Sequence, residues 1–208
     1  MTRTVLYMVA LACAAGEARA QAAPRDSTVY AFAPASRLEV KTGKAGLLGF
    51  AGHEHIIRAR AFTGRIVYFP DAIPASQVDV TVATDSLEVL TPPDTVEIRH
   101  VTAAMRADVL DVARYPRITL VTRSVARTPN GIRLLAALTL KDRTRELPVD
   151  VALDFRADTL RARATFGVNQ SDFGIRPYRG GPGGTVRVAD RITFSIDVVA
   201  VRAADDRR

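Results

Sequence analysis

GIRLLAALTLKDRTRELPVDVALDF, residues 131–155, sets the period on which the rest of the chain is read. Leu134, Ala136, Leu138 and Leu140 fall on one side of an extended chain, with Arg133 and Thr139 opposite. Val149, Val151, Leu153 and Phe155 make a second stripe against Asp150 and Asp154. Side chains alternate across a strand, so apolar residues at every second position mark a strand with one dry and one wet face. Lys141-Asp142-Arg143-Thr144 lies between the stripes as a turn, and Pro129-Asn130-Gly131 opens the first as a hairpin.

The same period recurs outward from this stretch. Val78, Val80 and Val82 alternate with Gln77, Asp79 and Thr81. Ala162, Ala164, Phe166 and Val168 oppose Arg161, Arg163 and Thr165, while Ile192, Phe194, Ile196 and Val198 oppose Thr193, Ser195 and Asp197. Residues 53–69 read as one strand, with His53, His55 and Ile57 on one face. One segment breaks the period. Thr91-Pro92-Pro93-Asp94 has the form of a helix start, and Val96, Met105, Val109 and Leu110 give an uneven apolar face, so about 92–110 is predicted as a short helical insertion. Tyr115-Pro116 closes it. The glycine-rich run 180–184 reads as a mobile loop, and Arg202 to Arg208 as a charged, frayed tail. The fold class is therefore all-β and antiparallel, with about eight strands. Small inward residues at Ala136, Ala162 and Ala164 favour a barrel with room inside over a two-sheet sandwich, although alanines opposite bulky partners would serve a filled core equally.

The first residues are set apart from this pattern. Arg3, the apolar run Val5 to Ala15 and Ala18-Arg19-Ala20 form a secretory signal, with cleavage expected near Ala20-Gln21. The expected organisation is a signal peptide over 1–20, one barrel domain over 21–202 and a charged tail over 203–208. The location expected is periplasmic or secreted. Cys13, the single cysteine, leaves with the signal, so no disulfide supports the domain. Losing Arg3, Arg19 and Glu17 lowers the formal charge from +7 to +6. Export argues against nucleic acid as the partner of this basic surface and leaves two readings, peripheral contact with an anionic membrane and a positive surface that simply keeps the protein in solution.

Several separated motifs, in order, resemble the YceI-like family of secreted bacterial proteins. They are Ser36-Arg37-Leu38-Glu39-Val40, Gly49-Phe50-Ala51-Gly52-His53-Glu54-His55, Phe62-Thr63-Gly64-Arg65-Ile66, Val109-Leu110-Asp111-Val112-Ala113-Arg114-Tyr115-Pro116-Arg117-Ile118, Leu138-Thr139-Leu140-Lys141-Asp142-Arg143-Thr144-Arg145 and Ser171-Asp172-Phe173-Gly174-Ile175. The resemblance implies an eight-stranded, lipocalin-like antiparallel β-barrel with a helical insertion. It also implies a non-enzymatic protein that needs no cofactor and binds a long-chain isoprenoid-type lipid, a polyisoprenoid or an isoprenoid quinone or its precursor, in an elongated apolar cavity. Related barrels pair, so a homodimer is among the expected assemblies. Where the family pattern carries a basic residue before Ser-Asp-Phe-Gly, this chain has Gln170, preceded by Asn169.

Candidate lining residues come from the stripes: Val80, Val82, Leu138, Ala162, Ala164, Phe166, Phe194 and Ile196. Phe50 and Met105 are placed at the mouth, His53 and His55 at the rim, and Asn169, Asp172 and Arg176 are the headgroup candidates. Catalytic motifs are absent: no Gly-x-Ser-x-Gly elbow and no His-Glu-x-x-His helix occurs. The alternative is a metal-binding protein or metal-dependent enzyme built on His53 and His55. Zinc takes three or four protein ligands, so a third must join them, and His100 is the remaining histidine.

Overall fold

The computed structural model describes residues 26–45, 54–91, 95–180 and 186–204. The strands are β1 (Thr28–Phe32), β2 (Arg37–Ala45), β3 (Ile56–Ala59), β4 (Phe62–Tyr68), β5 (Gln77–Ala83), β6 (Leu87–Val89), β7 (Arg117–Thr128), β8 (Gly131–Leu140), β9 (Arg143–Arg156), β10 (Thr159–Asn169), β11 (Arg179–Gly180) and β12 (Val186–Arg202). The helix α1 (Thr95–Ala104) runs on into a wider π turn over Met105–Val109.

All the strand pairings are antiparallel. The order β1-β4-β5-β7-β8-β9-β10-β12 returns to β1 through Tyr30↔Arg202 and Phe32↔Ala200, giving the closed eight-stranded barrel. The alternating stripes line its inside. Leu134, Ala136, Leu138 and Leu140 are all buried, and Arg133 on the other face meets Asp150 across the β8–β9 ladder. That exposed pair holds the Asp150 carboxyl below its usual range, chiefly through the hydrogen bond from Arg133.

Three staves of the barrel are broken, and the upper pieces form a second tier. β2, β3 and β6 pair in that order beside the upper part of β12, above β1, β4 and β5. A break strands backbone groups that would otherwise be paired, and buried unpaired groups are costly. Short hydroxyl side chains take their place. At the β1–β2 break Ser36 donates from Oγ to the Val199 carbonyl (2.9 Å) and accepts from the Val199 N–H (3.1 Å). At the β5–β6 break Thr84 donates to the Tyr115 carbonyl (2.8 Å), and Ser86 Oγ accepts from the Ala61 N–H (2.9 Å). The single strand predicted over 53–69 is thus two strands. The inward face passes from odd positions, Ile57 and Ala59, to even ones, Phe62 and Ile66, across Arg60-Ala61, where the chain bends so that β3 joins the upper tier and β4 the lower.

β6 ends the upper tier without a strand on its far side, and the helical segment covers that edge. Met105 and Leu110 are buried, Arg106 donates to the Leu87 carbonyl (3.2 Å), and Lys141 donates to the Val109 carbonyl (2.9 Å). The insertion falls where the sequence placed it, with two corrections. Val96 is 50% exposed and not on the buried face. Thr91, expected as the helix cap, instead ties down the strand before it: its hydroxyl accepts from the Ile56 N–H (2.9 Å) and donates to the Glu54 carbonyl (3.2 Å), while α1 begins at Thr95. Pro92, Pro93 and Asp94 lie outside the described residues.

The turns carry left-handed backbone where the sequence supplied turn residues. Lys141 and Asp142 have φ of 47° and 57° between β8 and β9. Arg202 ends β12 and donates its N–H to the Asp158 carbonyl (2.8 Å). Residues 181–184 of the predicted loop, 205–208 of the tail and the expected signal segment lie outside the described residues. The opposite end of the barrel from α1 is filled by Ile73, packed with Val125, Ile132 and Leu134, and by the Tyr68 and Phe155 rings at 4.8 Å.

Gly131 starts β8 at φ +144°, and a Cβ there would sit 2.2 Å from the Val151 carbonyl oxygen. Gly131→Ala is therefore expected to cost about 2 kcal/mol through backbone strain and displaced β9 pairing. The measurement is the urea unfolding midpoint; a midpoint equal to wild type would show that the turn relaxes freely.

Candidate functional site

Eight inward stripes around a closed barrel must either fill its axis or leave a hollow. Here they leave a hollow in two chambers. The lower, of about 130 Å³ as space open to the centre of a water-sized sphere, is walled almost wholly by apolar side chains. Val80, Val82, Leu138, Ala162, Ala164, Phe166, Phe194 and Ile196, the residues taken from the stripes, all line it. Ala162 and Ala164 lie where β10 faces β9, and their short side chains leave space there that a leucine would occupy.

The upper chamber, of about 120 Å³, lies under the helical segment and is walled by Met105, Val109 and Leu110 on that side. Leu38, Val82, Ile118, Phe194 and Ile196 line both chambers, so the two share a wall along the barrel axis. Phe194 and Phe166 face each other directly in the β10–β12 ladder, with rings stacked at 4.9 Å and 5°. Phe194 lines both chambers and Phe166 the lower one. The few polar groups are concentrated in the upper one: Thr42, Gln170 and Glu39, the last already bonded to Arg58 at 2.8 Å.

The residues expected at the rim fare differently. Phe50 and His53 lie outside the described residues. His55 is buried but lines neither chamber; its Nδ1 is 2.7 Å from the Thr91 carbonyl oxygen, and its backbone N–H donates to Thr42 Oγ1 (3.1 Å). A carbonyl only accepts, so the ring donates from Nδ1. His55 thus bolts the start of β3 to the strand end before α1. His100 is exposed on α1, and among the described residues no three of His, Cys, Asp and Glu gather as a metal site would need.

None of the three headgroup candidates lines a chamber: Asn169 is half-buried at the end of β10, and Asp172 and Arg176 are exposed. Gln170 between them does line the upper chamber, with Nε2 donating to the Ala189 carbonyl (2.9 Å). It sits in a 3₁₀ turn, Gln170–Phe173, which rotates it inward and Asp172 outward. The turn is fixed by Asp190: the Ser171 N–H and hydroxyl donate to Asp190 at 2.8 and 2.5 Å. Leu110 and Gln170 were missed as lining residues because they belong to the helical insertion and an irregular turn, where a period of two gives no signal; Leu38, Val40 and Thr42 do alternate with Arg37, Glu39 and Lys41 on β2, a stripe left out of the lining set.

A family model for the YceI-like domain matches residues 33–200. The chain belongs to the YceI-like family. The matched span begins at the β1–β2 break and takes in both chambers except for Phe32. YceI-like barrels of similar fold have been solved. BcnA of Burkholderia cenocepacia superposes with a TM-score of 0.63 at 16% identity, covering 79% of this chain and 96% of that one. A polyisoprenoid binding domain from Saccharophagus degradans, implicated in plant cell wall breakdown, gives 0.61 at 10% identity over 86% and 100%. A Campylobacter jejuni YceI protein gives 0.55 at 14% over 72% and 85%. At these identities the shared property is the fold. No curated protein sequence matches this YceI-like chain.

The bolt at His55 makes a measurable claim. His55→Ala leaves the Thr91 carbonyl without its donor and is expected to cost about 1–3 kcal/mol of stability. The loss is read from thermal unfolding and should be the same with and without a chelator. A loss confined to metal-loaded protein would make His55 a ligand instead.

Proposed function

We propose that this protein binds the tail of a long isoprenoid-type lipid along the barrel axis, and carries or sequesters it in the cell envelope without chemical change. The observation that carries the reading is the pair of apolar chambers sharing one wall, closed at the far end by Ile73, Tyr68 and Phe155 and with their polar groups gathered at the other. The YceI-like family and a polyisoprenoid-binding structural neighbour support a lipid-binding barrel.

Energetics specify a long tail. Each buried CH₂ is worth ~0.8 kcal/mol, so a five-carbon unit yields roughly 3–4 kcal/mol gross. Association costs ~4–15 kcal/mol in lost freedom, and micromolar affinity needs about 8 kcal/mol net. Roughly four to six buried units therefore suffice, and one or two do not. A cavity of about 150 Å³ accommodates one benzene. Chambers of about 130 and 120 Å³ then hold one such group each as they stand. Two such groups fall short of four to six units, so the longer tail must both join and widen the chambers, and Phe194, which lines both and stacks on Phe166, is one side chain that has to move. Ligand entry turns these rings aside, exchanging one stacked contact, worth about 0.5–1.5 kcal/mol, for contacts with the tail.

Organic extraction of the purified protein followed by mass spectrometry is expected to yield a long isoprenoid chain in near-equal amount to protein. Ala164→Leu, which fills the lower chamber at about 1–3 kcal/mol of packing strain, is expected to lose most of that lipid while keeping the barrel's circular dichroism. Protein that repeatedly extracts empty, or an Ala164→Leu variant that retains a full complement, overturns the proposal.

A further inference from the structure

On the barrel wall several arginines are neutralised where they stand: Arg60 pairs with Glu88, Arg123 with Glu146, Arg133 with Asp150, Arg161 with Asp197 and Arg202 with Asp158. Arg65, Arg127 and Arg145, one each on β4, β7 and β9, are exposed without an ion pair among the described residues. At the end that carries the upper chamber such arginines are gathered on one short stretch of chain. Arg176, Arg179, Arg187 and Arg191 are all exposed, and none forms an ion pair among the described residues. Arg179 and Arg187 are direct cross-strand partners in the β11–β12 ladder. Like charges placed opposite each other destabilise a sheet, so this pairing carries a repulsion that an anion between the two guanidiniums would relieve. Two acids lie on the described parts of the same segment. Asp190 is committed to Ser171 at 2.8 and 2.5 Å, which leaves exposed Asp172 against four guanidiniums.

Location gives the charge a partner. Gln170 and Ile175, just before the arginines in sequence, line the upper chamber, and Arg187 lies opposite Ala45 at the upper end of β2. The basic hairpin is therefore part of the channel's mouth. Tyr178, immediately before Arg179, is 39% exposed, and tyrosine suits a boundary between water and hydrocarbon because its ring is apolar and its hydroxyl is not.

We infer that the face carrying Arg176, Arg179, Arg187 and Arg191 is a docking surface for an anionic bilayer, which seats the upper-chamber end of the barrel on the membrane. Each arginine near such a surface gains from its negative potential, and the Arg179–Arg187 repulsion is relieved by the lipid phosphates between them. Docking is separate from cavity occupancy, so it is tested on protein stripped of lipid, by sedimentation with vesicles.

Vesicles rich in phosphatidylglycerol are expected to carry the protein down and vesicles of phosphatidylcholine alone are not; salt at about 0.5 M should release it. The double variant Arg179→Gln, Arg187→Gln should lower partitioning roughly 30-fold, at ~1 kcal/mol per arginine. Its thermal midpoint should equal or exceed that of wild type, because a like-charge pair has been removed. The wall variant Arg133→Gln should leave partitioning unchanged. Equal sedimentation with both vesicle types, an equal loss in Arg133→Gln, or full competition by inorganic phosphate would each overturn the assignment, the last by reducing the arginines to a small-anion site.

Discussion

The seventeen residues of β12 meet two different partners along one edge: β1 at its last turn of ladder and β2 along most of the rest. On the other edge it is paired to β10 from Thr159↔Val201 to Asn169↔Arg191. Everything else follows from that double engagement. The pairing with β1 closes the circuit and removes the open edges that a free sheet would present. The pairing with β2 raises a second tier above it. Without the first there is no enclosed interior; without the second the interior is shallow.

Closure sets up a conflict that the channel resolves. A sealed barrel gains most stability when its axis is packed solid, while a binding cavity forgoes those contacts. This chain gives up packing at Ala162 and Ala164 and recovers part of it through the Phe166–Phe194 stack. Aromatic rings fill the axis in the empty protein and can be displaced as units, since each turns about two bonds. A branched aliphatic at either position would be held more firmly by its neighbours. The same economy operates at the breaks, where Ser36, Thr84 and Ser86 repair the backbone with single hydroxyls and leave the channel side apolar.

Polarity is sorted by height. The lower chamber is apolar, the upper admits Thr42 and Gln170, and the mouth beyond carries unpaired arginines and an exposed tyrosine. Such a gradient orients an amphiphile: its tail is favoured at depth and its head at the rim, because burying a polar group without a partner is costly. Gln170 can offer one amide oxygen to such a head while its amide nitrogen is held by Ala189. That arrangement differs from the basic residue of the family pattern and confers no charge on the channel itself.

The strand stripes were legible in the sequence because a period of two is a local property: each residue's face is fixed by its neighbours in the chain. Hence the all-β class, the lining residues from Val80 to Ile196 and the helical insertion could be read from residues alone, and the ordered motifs added the eight-stranded barrel. The tertiary structure decided what depends on distant partners. It split the strand read over 53–69: the inward face changes phase between Ala59 and Phe62, and Ser86 holds the bend there between the two tiers. It turned Gln170 inward and Asp172 outward through a bond from Ser171 to Asp190, nineteen residues away. It made His55 a bolt to Thr91, thirty-six residues on, where the sequence showed only two histidines side by side on a strand. It also set Arg179 against Arg187, because register across a hairpin is fixed by the ladder, and no count of charges along the chain reveals which of them will face each other.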